Sequence, residues 1–235
     1  MPPRILAGAS GYSFKEWKGS FYPEKIRPDA MLTYYAQRLD TVEINSSFYA
    51  LPKAETLARW AETVAADFRF SIKAPQAITH HARIAEKSAA DVNALYQVLE
   101  VLGDKRGPVL FQLPPAMKKD LPRLRDFIAR LPQNHGATFE FRHDSWLVDE
   151  VYDCLRKAGA ALCQSEREDA SAPPAVETAD WGYLRLRLDR YDQADLQAWL
   201  ARLRATTWKT AYVYFRHEIT APGYAAQILD LAKDD

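Results

Sequence analysis

Six short stretches of this sequence carry polar residues whose types suit ligand binding or acid–base work. Glu43 and Asn45 stand in TVEIN (41–45), Lys73 ends FRFSIK (68–73), and Gln112 stands in PVLFQL (108–113). Glu140, Arg142 and His143 follow one another in FEFRH (139–143), Arg185 and Arg187 alternate in YLRLR (183–187), and Tyr214 and Arg216 alternate in YVYFR (212–216). Two carboxylates are the minimal set for glycoside hydrolysis, one as acid and one as nucleophile or base. A histidine near them is a general acid–base candidate around neutral pH. Guanidinium groups in excess suit phosphate, sulfate or carboxylate, which arginine grips with two parallel hydrogen bonds. The candidate catalytic residues are therefore Glu43, Glu140 and His143. The candidate ligand-binding residues are Asn45, Lys73, Gln112, Arg142, Arg185, Arg187, Tyr214 and Arg216.

Aromatic residues extend the second set. The loop from Ser10 to Pro23 holds Tyr12, Phe14, Trp17, Phe21 and Tyr22 with Lys15 and Lys18, and Trp146 follows the fifth polar-ended stretch. Aromatics interleaved with lysines can stack a base or sugar while the lysines meet phosphate. They can equally pack a small core of their own, making the loop a lid that touches the ligand at its edge. Tyr12, Trp17 and Trp146 join the ligand-binding candidates on the first reading.

Other chemistries find less support. Metal catalysis needs clustered histidine and carboxylate ligands. Of His80, His81, His135, His143 and His217, only His80 and His143 follow strands closely enough to reach the same end as the polar set. A divalent metal is thus not favoured, and no motif implies any other cofactor. Cys154 and Cys163 stand in no metal-type cluster and form no disulfide framework.

Something must bring residues spread from 43 to 216 together. Strand-like runs occur at 4–8, 41–45, 68–73, 108–113, 137–141, 160–164, 182–187 and 210–215, each short and bounded by turn residues. Helical stretches fill most gaps, at 28–39, 54–66, 87–102, 121–131, 147–158, 192–205 and 223–232. In the third of these, Val92, Leu95, Leu99 and Leu102 recur at helical spacing. Asp120 and Asp192 are placed to cap helix N-termini, and Gly103 and Gly159 to end helices. The gap between the sixth and seventh strands, SEREDASAPPAVETAD, shows no helical pattern. Strict alternation predicts a parallel sheet, and eight short strands in one chain of this length predict a single TIM-type parallel β/α barrel over 1–235 that lacks the helix between strands six and seven. An open doubly wound sheet is the alternative, but GASGYS after the first strand is not the glycine fingerprint GxGxxG.

Strand parity then assigns faces. Val42 and Ile44, Phe68, Phe70 and Ile72, Val109, Phe111 and Leu113, Phe139 and Phe141, Leu184 and Leu186, Val213 and Phe215 must meet the helices. That sends Glu43 and Asn45, Ser71 and Lys73, Gln112, Glu140 and Arg142, Arg185 and Arg187, and Tyr212, Tyr214 and Arg216 to the interior. In the sixth strand either Gln164, or Cys163 with Ser165, points inward. The inward polar residues fall at the C-terminal strand ends, where barrel sites lie. Lys73 and the four arginines against Glu43 and Glu140 leave a formal surplus of three positive charges, which predicts a small anionic ligand.

Lysine plus arginine equals aspartate plus glutamate at 31 each, so the chain lacks the basic excess of a dedicated nucleic-acid binder. A nucleic-acid-associated or non-catalytic module using the same pocket is the alternative function, and a glycoside hydrolase-like enzyme built on Glu43 and Glu140 a third. No apolar run approaches the roughly 20 residues that span a membrane, and MPPR leads into a strand without a signal-peptide core, so a cytoplasmic location without membrane partners is expected. No heptad or large apolar stripe points to an oligomeric partner.

GASGYSFKEWKGSFYPEK (8–25), TVEINSSFYALP (41–52), FSIKAPQAITH (70–80), GPVLFQLPP (107–115), FEFRHDSW (139–146) and AYVYF (211–215) resemble, in order, the motifs of the YecE-like family, domain of unknown function 72. The resemblance implies a TIM-type barrel and no established activity. It places weight on Glu43, Asn45, Lys73, Gln112, Glu140, Arg142 and His143. This chain departs from the pattern at RLRLD (185–189), where the family shows an arginine-leucine-histidine-glycine run, and at FRHE (215–218), where it shows phenylalanine-asparagine-asparagine.

Overall fold

The computed structural model describes residues 1–166, 176–216 and 219–233. In them, eight parallel strands alternate with helices: β1 (Arg4–Ala9), α1 (Met31–Ala36), β2 (Thr41–Ile44), α2 (Ala54–Thr63), β3 (Arg69–Lys73), α3 (Ala89–Leu99) and β4 (Arg106–Gln112) come first. They are followed by α4 (Leu121–Ala129), β5 (Ala137–Glu140), α5 (Asp149–Ala158), β6 (Ala161–Ser165), β7 (Trp181–Leu186), α6 (Gln193–Arg204), β8 (Thr210–Phe215) and α7 (Ala221–Lys233). Strands are hydrogen-bonded in the order β1-β8-β7-β6-β5-β4-β3-β2, the ring of a TIM-type barrel. Most of the gap between β6 and β7, where no helix is expected, lies outside the described residues. No described helix is long and apolar enough to cross a membrane.

Local signals stop the helices where expected. Asp120 accepts from the Arg123 amide at 3.1 Å, and Asp192 and Asp195 form a reciprocal capping box on α6. Gly159 ends α5 in the left-handed region, φ 65°, which glycine reaches without a Cβ clash.

The ladder is broken once, between β1 and β2. Here the strands touch at Gly8, where an added Cβ would sit 1.8 Å from the Thr41 carbonyl oxygen. The buried Tyr35 hydroxyl on α1 fills the gap, accepting from the Ala9 amide at 2.7 Å and donating to the Thr41 carbonyl at 2.9 Å. A side chain from the helical layer thus supplies the hydrogen bonds that a strand would otherwise give.

Parity assigns the faces correctly. Val42, Ile44, Phe70, Ile72, Phe111, Phe139, Leu184, Leu186, Val213 and Phe215 belong to the large core beneath the helices, whereas Leu110, Cys163, Tyr183 and Tyr214 form a separate cluster inside the ring. The sixth strand is resolved in favour of Cys163. Gln164 faces the helices, its Oε1 accepting from Arg202 of α6 at 3.2 Å.

Candidate functional site

The ring interior is layered by strand register. Near its middle, the buried Tyr214 hydroxyl lies 2.7 Å from Thr41 Oγ1 and 2.6 Å from Ser71 Oγ. One layer higher, Glu43, Glu140 and Arg185 are buried together at 0 %, 2 % and 1 % exposure. Arg185 bridges the carboxylates, its Nη2 donating to Glu43 Oε1 at 2.8 Å and its Nη1 to Glu140 Oε2 at 2.6 Å. Glu43 also accepts from Ser10 Oγ at 2.7 Å, Tyr183 OH at 2.6 Å and Asn45 Nδ2 at 3.1 Å. Glu140 accepts from Gln112 Nε2 at 2.8 Å, and from Arg142 Nε and Arg187 Nη2 at 2.9 Å each.

Both carboxylates of this layer are therefore ion-paired. Burial alone would raise the Glu43 carboxyl, but the Arg185 guanidinium and the Tyr183 and Ser10 hydroxyls outweigh it and leave the group below the ordinary carboxylate range. Burial also acts to raise Glu140, and Arg185, Arg187 and Arg142 together hold it far lower still. Both glutamates stay ionised at neutral pH. A retaining or inverting glycosidase needs one carboxyl protonated, whereas Glu43 and Glu140 are here ionised acceptors of a buried ion-pair network, an arrangement that does not favour the expected acid–base pair. His143 Nδ1 accepts from the Ser145 amide at 3.1 Å and caps the turn Asp144–Trp146, and His143 is not among the residues lining the barrel-mouth pocket.

Above the network opens a pocket of about 610 Å³ at the C-terminal mouth of the barrel. Its floor is Arg185 and Ser10; Asn45, Phe48, Tyr49 and Lys73 form one wall, and Asp189, Phe215, Arg216 and Ile219 the other, with Phe14 and Trp17 closing the side. The register that sets Ile44 against Ile72 places Asn45 beside Lys73. Lys73 reaches over the Phe48 ring, its Nζ 4.2 Å from the centroid, and Ser47 Oγ holds its carbonyl at 2.7 Å. Burial, then the neighbouring Arg185, brings the Lys73 ammonium down from 10.5 to about 8, against the pull of Glu43 and Glu140. Arg216 is exposed at the rim. Neither Lys73 nor Arg216 makes an ion pair with a described residue. Asn45 Oδ1 is buried without a hydrogen-bond donor among the described residues.

Several sequence expectations change position. Of the five cations counted, Arg142, Arg185 and Arg187 are committed to glutamates. The count also missed two carboxylates. Asp189 lines the pocket, and the buried Glu166 accepts from the Arg187 amide at 2.7 Å and from the Tyr191 hydroxyl. Among the described residues, five cations and four carboxylates are thus gathered at this end of the barrel, a smaller formal surplus than the three counted from strand parity. Gln112 and Tyr214 are not among the residues lining the pocket: Gln112 donates to Glu140, and the Tyr214 hydroxyl meets Thr41 and Ser71. Trp146 is wholly buried in the helical layer, stacked 4.7 Å from Phe141, with its indole N–H on the Met117 carbonyl at 2.7 Å. Tyr12 turns its ring edge-on to Trp60 of α2 at 5.9 Å. Trp17 is wholly buried beside Tyr35, at 6.5 Å and near-parallel, and forms wall rather than stacking platform. The first loop is thus a lid with its own core.

Ser10, Tyr183, Phe48, Tyr49, Glu166 and Asp189 were not singled out in the sequence. Tyr183 shares the inward parity of Arg185, which could have found it, and Ser10 follows β1 directly. Glu166 likewise follows β6 directly, whereas Asp189 lies three residues past β7, where parity has stopped. Away from the pocket, His135 ties the opposite rim, its Nδ1 accepting from the Ala137 amide at 2.8 Å. His80 pairs with Thr79 Oγ1 at 2.9 Å and meets Phe48 edge-on at 4.9 Å; His217 lies outside the described residues. Among the described residues no three His, Cys, Asp or Glu side chains gather as a metal set.

Comparison with known proteins gives a consistent picture. A family model described as "Protein of unknown function DUF72" matches residues 6–235. The UPF0759 protein YecE of Escherichia coli K12 is 34 % identical over 118 residues, 50 % of this chain and 43 % of that protein, so the matched part spans less than half of that relative. The UPF0759 protein YunF of Bacillus subtilis 168 is 24 % identical over 229 residues, 91 % of this chain and 78 % of that one. Crystal structures of DUF72 family proteins superpose on the whole fold. That from Thermotoga maritima has a TM-score of 0.82 at 24 % identity, covering 98 % of this chain and 99 % of its own. That from Enterococcus faecalis has a TM-score of 0.78 at 17 % identity, covering 98 % of each. At such identities the likeness establishes the fold alone.

Proposed function

Because the chain belongs to the DUF72 family, whose description assigns no reaction, we propose from geometry that its pocket binds a small organic anion, held between Lys73 after β3 and Arg216 after β8. One observation carries this reading. Lys73 and Arg216 face a pocket of about 610 Å³ without an ion-pair partner among the described residues, whereas Arg142, Arg185 and Arg187 are already paired. Two cations on opposite walls suit a phosphate or carboxylate at one end of a metabolite-sized ligand. The buried Asn45 Oδ1 asks for a hydroxyl or amine on the same molecule, since a buried acceptor without a donor is costly. The paired Arg185 floor supplies rigidity rather than free charge.

The nucleic-acid reading loses its main support, because Trp17 and Tyr12 are packed inward rather than offered to bases.

The test is a thermal-shift and calorimetric titration with phosphorylated sugars and small hydroxycarboxylates at low ionic strength. The wild-type chain should saturate at one ligand per chain. Arg216→Ala removes one charge-assisted contact from an exposed side chain, which should weaken affinity roughly tenfold or more with an unchanged ligand-free melting temperature. Equal affinity in wild type and variant would overturn the assignment.

A further inference from the structure

We infer that Lys73 is a nucleophile that forms an imine with the carbonyl carbon of a small oxo acid or phosphorylated aldehyde seated in the mouth pocket. This rests on the anion-binding reading and adds the reacting atom and the ligand class to it.

The geometry separates Lys73 from every other cation of the ring. Its side chain ends in the pocket, packed on the apolar face of Phe48, with no carboxylate in ion-pair range among the described residues. An ammonium meant only for structure would sit on Glu43 or Glu140, yet three arginines take those oxygens. Burial lowers it first, Arg185 and Arg216 act on it as like charges and Glu43 and Glu140 as opposite ones, and the lowering outweighs the attraction, bringing it to about 8. His80, on the turn after β3, feels Lys73 as a neighbouring charge and is itself lowered by burial and by that charge. A lysine so placed carries roughly a tenth of its population as free amine at pH 7, far more than an ordinary lysine, and the free amine is the form that attacks carbonyls. Asn45 Oδ1, a buried acceptor with no donor, stands beside it.

The step balances without a co-reactant. The Lys73 ammonium releases one proton to water, and the amine lone pair forms a C–N bond while the carbonyl π pair moves to oxygen. A proton passes from nitrogen to that oxygen, giving a carbinolamine whose hydroxyl can donate to Asn45 Oδ1. The C–O bond then breaks, the hydroxyl leaves as water with the proton returned from solvent, and the nitrogen lone pair closes the C=N bond of a protonated imine. Arg216 would hold the acid group of the ligand and so present its carbonyl to Nζ.

Reductive trapping tests this with the whole chain. The protein is incubated with glyoxylate, an aldehyde bearing a carboxylate, and sodium cyanoborohydride, whose hydride reduces any imine to a stable secondary amine. Peptide mapping then reads the rate of modification at each lysine. Modification at Lys73 at least about tenfold faster than at the exposed Lys209 is expected from their differing free-amine fractions, with Arg216→Ala slowing Lys73 and leaving Lys209 unchanged. Lys73 reacting no faster than Lys209 overturns the imine. If glyoxylate still binds saturably in that case, by calorimetry without reductant, the anion pocket survives; if it neither binds nor traps, and no other anion binds, both readings fall.

Discussion

At the scale of single residues, Arg185 and Lys73 stand for opposite uses of buried charge. Arg185 is enclosed between two carboxylates, and removing it would strand both in the barrel interior. An uncompensated buried charge costs about 3–5 kcal/mol, so Arg185→Leu should lower unfolding free energy by at least that much in urea titration. A smaller loss would mean that water or Arg187 compensates. Lys73 works against stability. Its lowered value penalises the ammonium in the folded state, fully below about pH 8 and fading as pH rises toward the ordinary 10.5. Lys73→Met should therefore stabilise the ligand-free protein at pH 7 by about 1–2 kcal/mol after allowance for solvent screening. That gain should shrink toward pH 10, and a melting temperature unchanged at pH 7 would count against the burial penalty.

At the scale of elements, strand parity made most of the site legible. Alternation in TVEIN, FEFRH and YLRLR was enough to send Glu43, Glu140, Arg142, Arg185 and Arg187 inward, because a helix-facing apolar set leaves the other face no alternative. Parity could not say which charges would meet. Pairing depends on the height of each residue in the ring, which is set by register and stagger between strands distant in sequence. It also said nothing of loops: Tyr12 and Trp17, read as pocket aromatics from the aromatic–lysine pattern of the first loop, and Trp146, read so from its place after β5, pack against the helical layer, and only Trp17 of the three also lines the pocket. The β1–β2 junction was equally hidden, since nothing in Tyr35 announces that its hydroxyl replaces a ladder. Tyr35→Phe would leave the Ala9 amide and Thr41 carbonyl without this partner, costing about 2–3 kcal/mol. Hydrogen exchange should speed up at β1 and β2 before β4 and β5; uniform protection around the ring would argue against a weak junction.

At the scale of the whole molecule, the buried carboxylate–guanidinium layer ties together strands from both halves of the chain, joining β2, β5 and β7 through one guanidinium. Its stability is linked to pH with a definite sign. Glu43 and Glu140 lie below the ordinary value of 4.5 when folded, so their contribution is complete above that pH and is lost only as pH falls through the lowered values. Urea midpoints measured from pH 7 downward should hold nearly level to about pH 4.5 and then fall steeply. Complete loss of this stability by pH 4.5 would mean that the glutamates are not ion-paired in solution.

The break between β1 and β2 has a consequence for biosynthesis. β1 cannot zip onto the strand that follows it; its ladder partner is β8, with Arg4 opposite Thr210. At ribosomal rates of about 5–20 residues per second, roughly ten to forty seconds separate the emergence of the two strands. Throughout that interval RILAGA is an apolar segment with unpaired amides, held only by whatever α1 can offer. The last ring step to complete is thus the attachment of the first strand made, and it is there that a nascent chain would profit most from a holding chaperone.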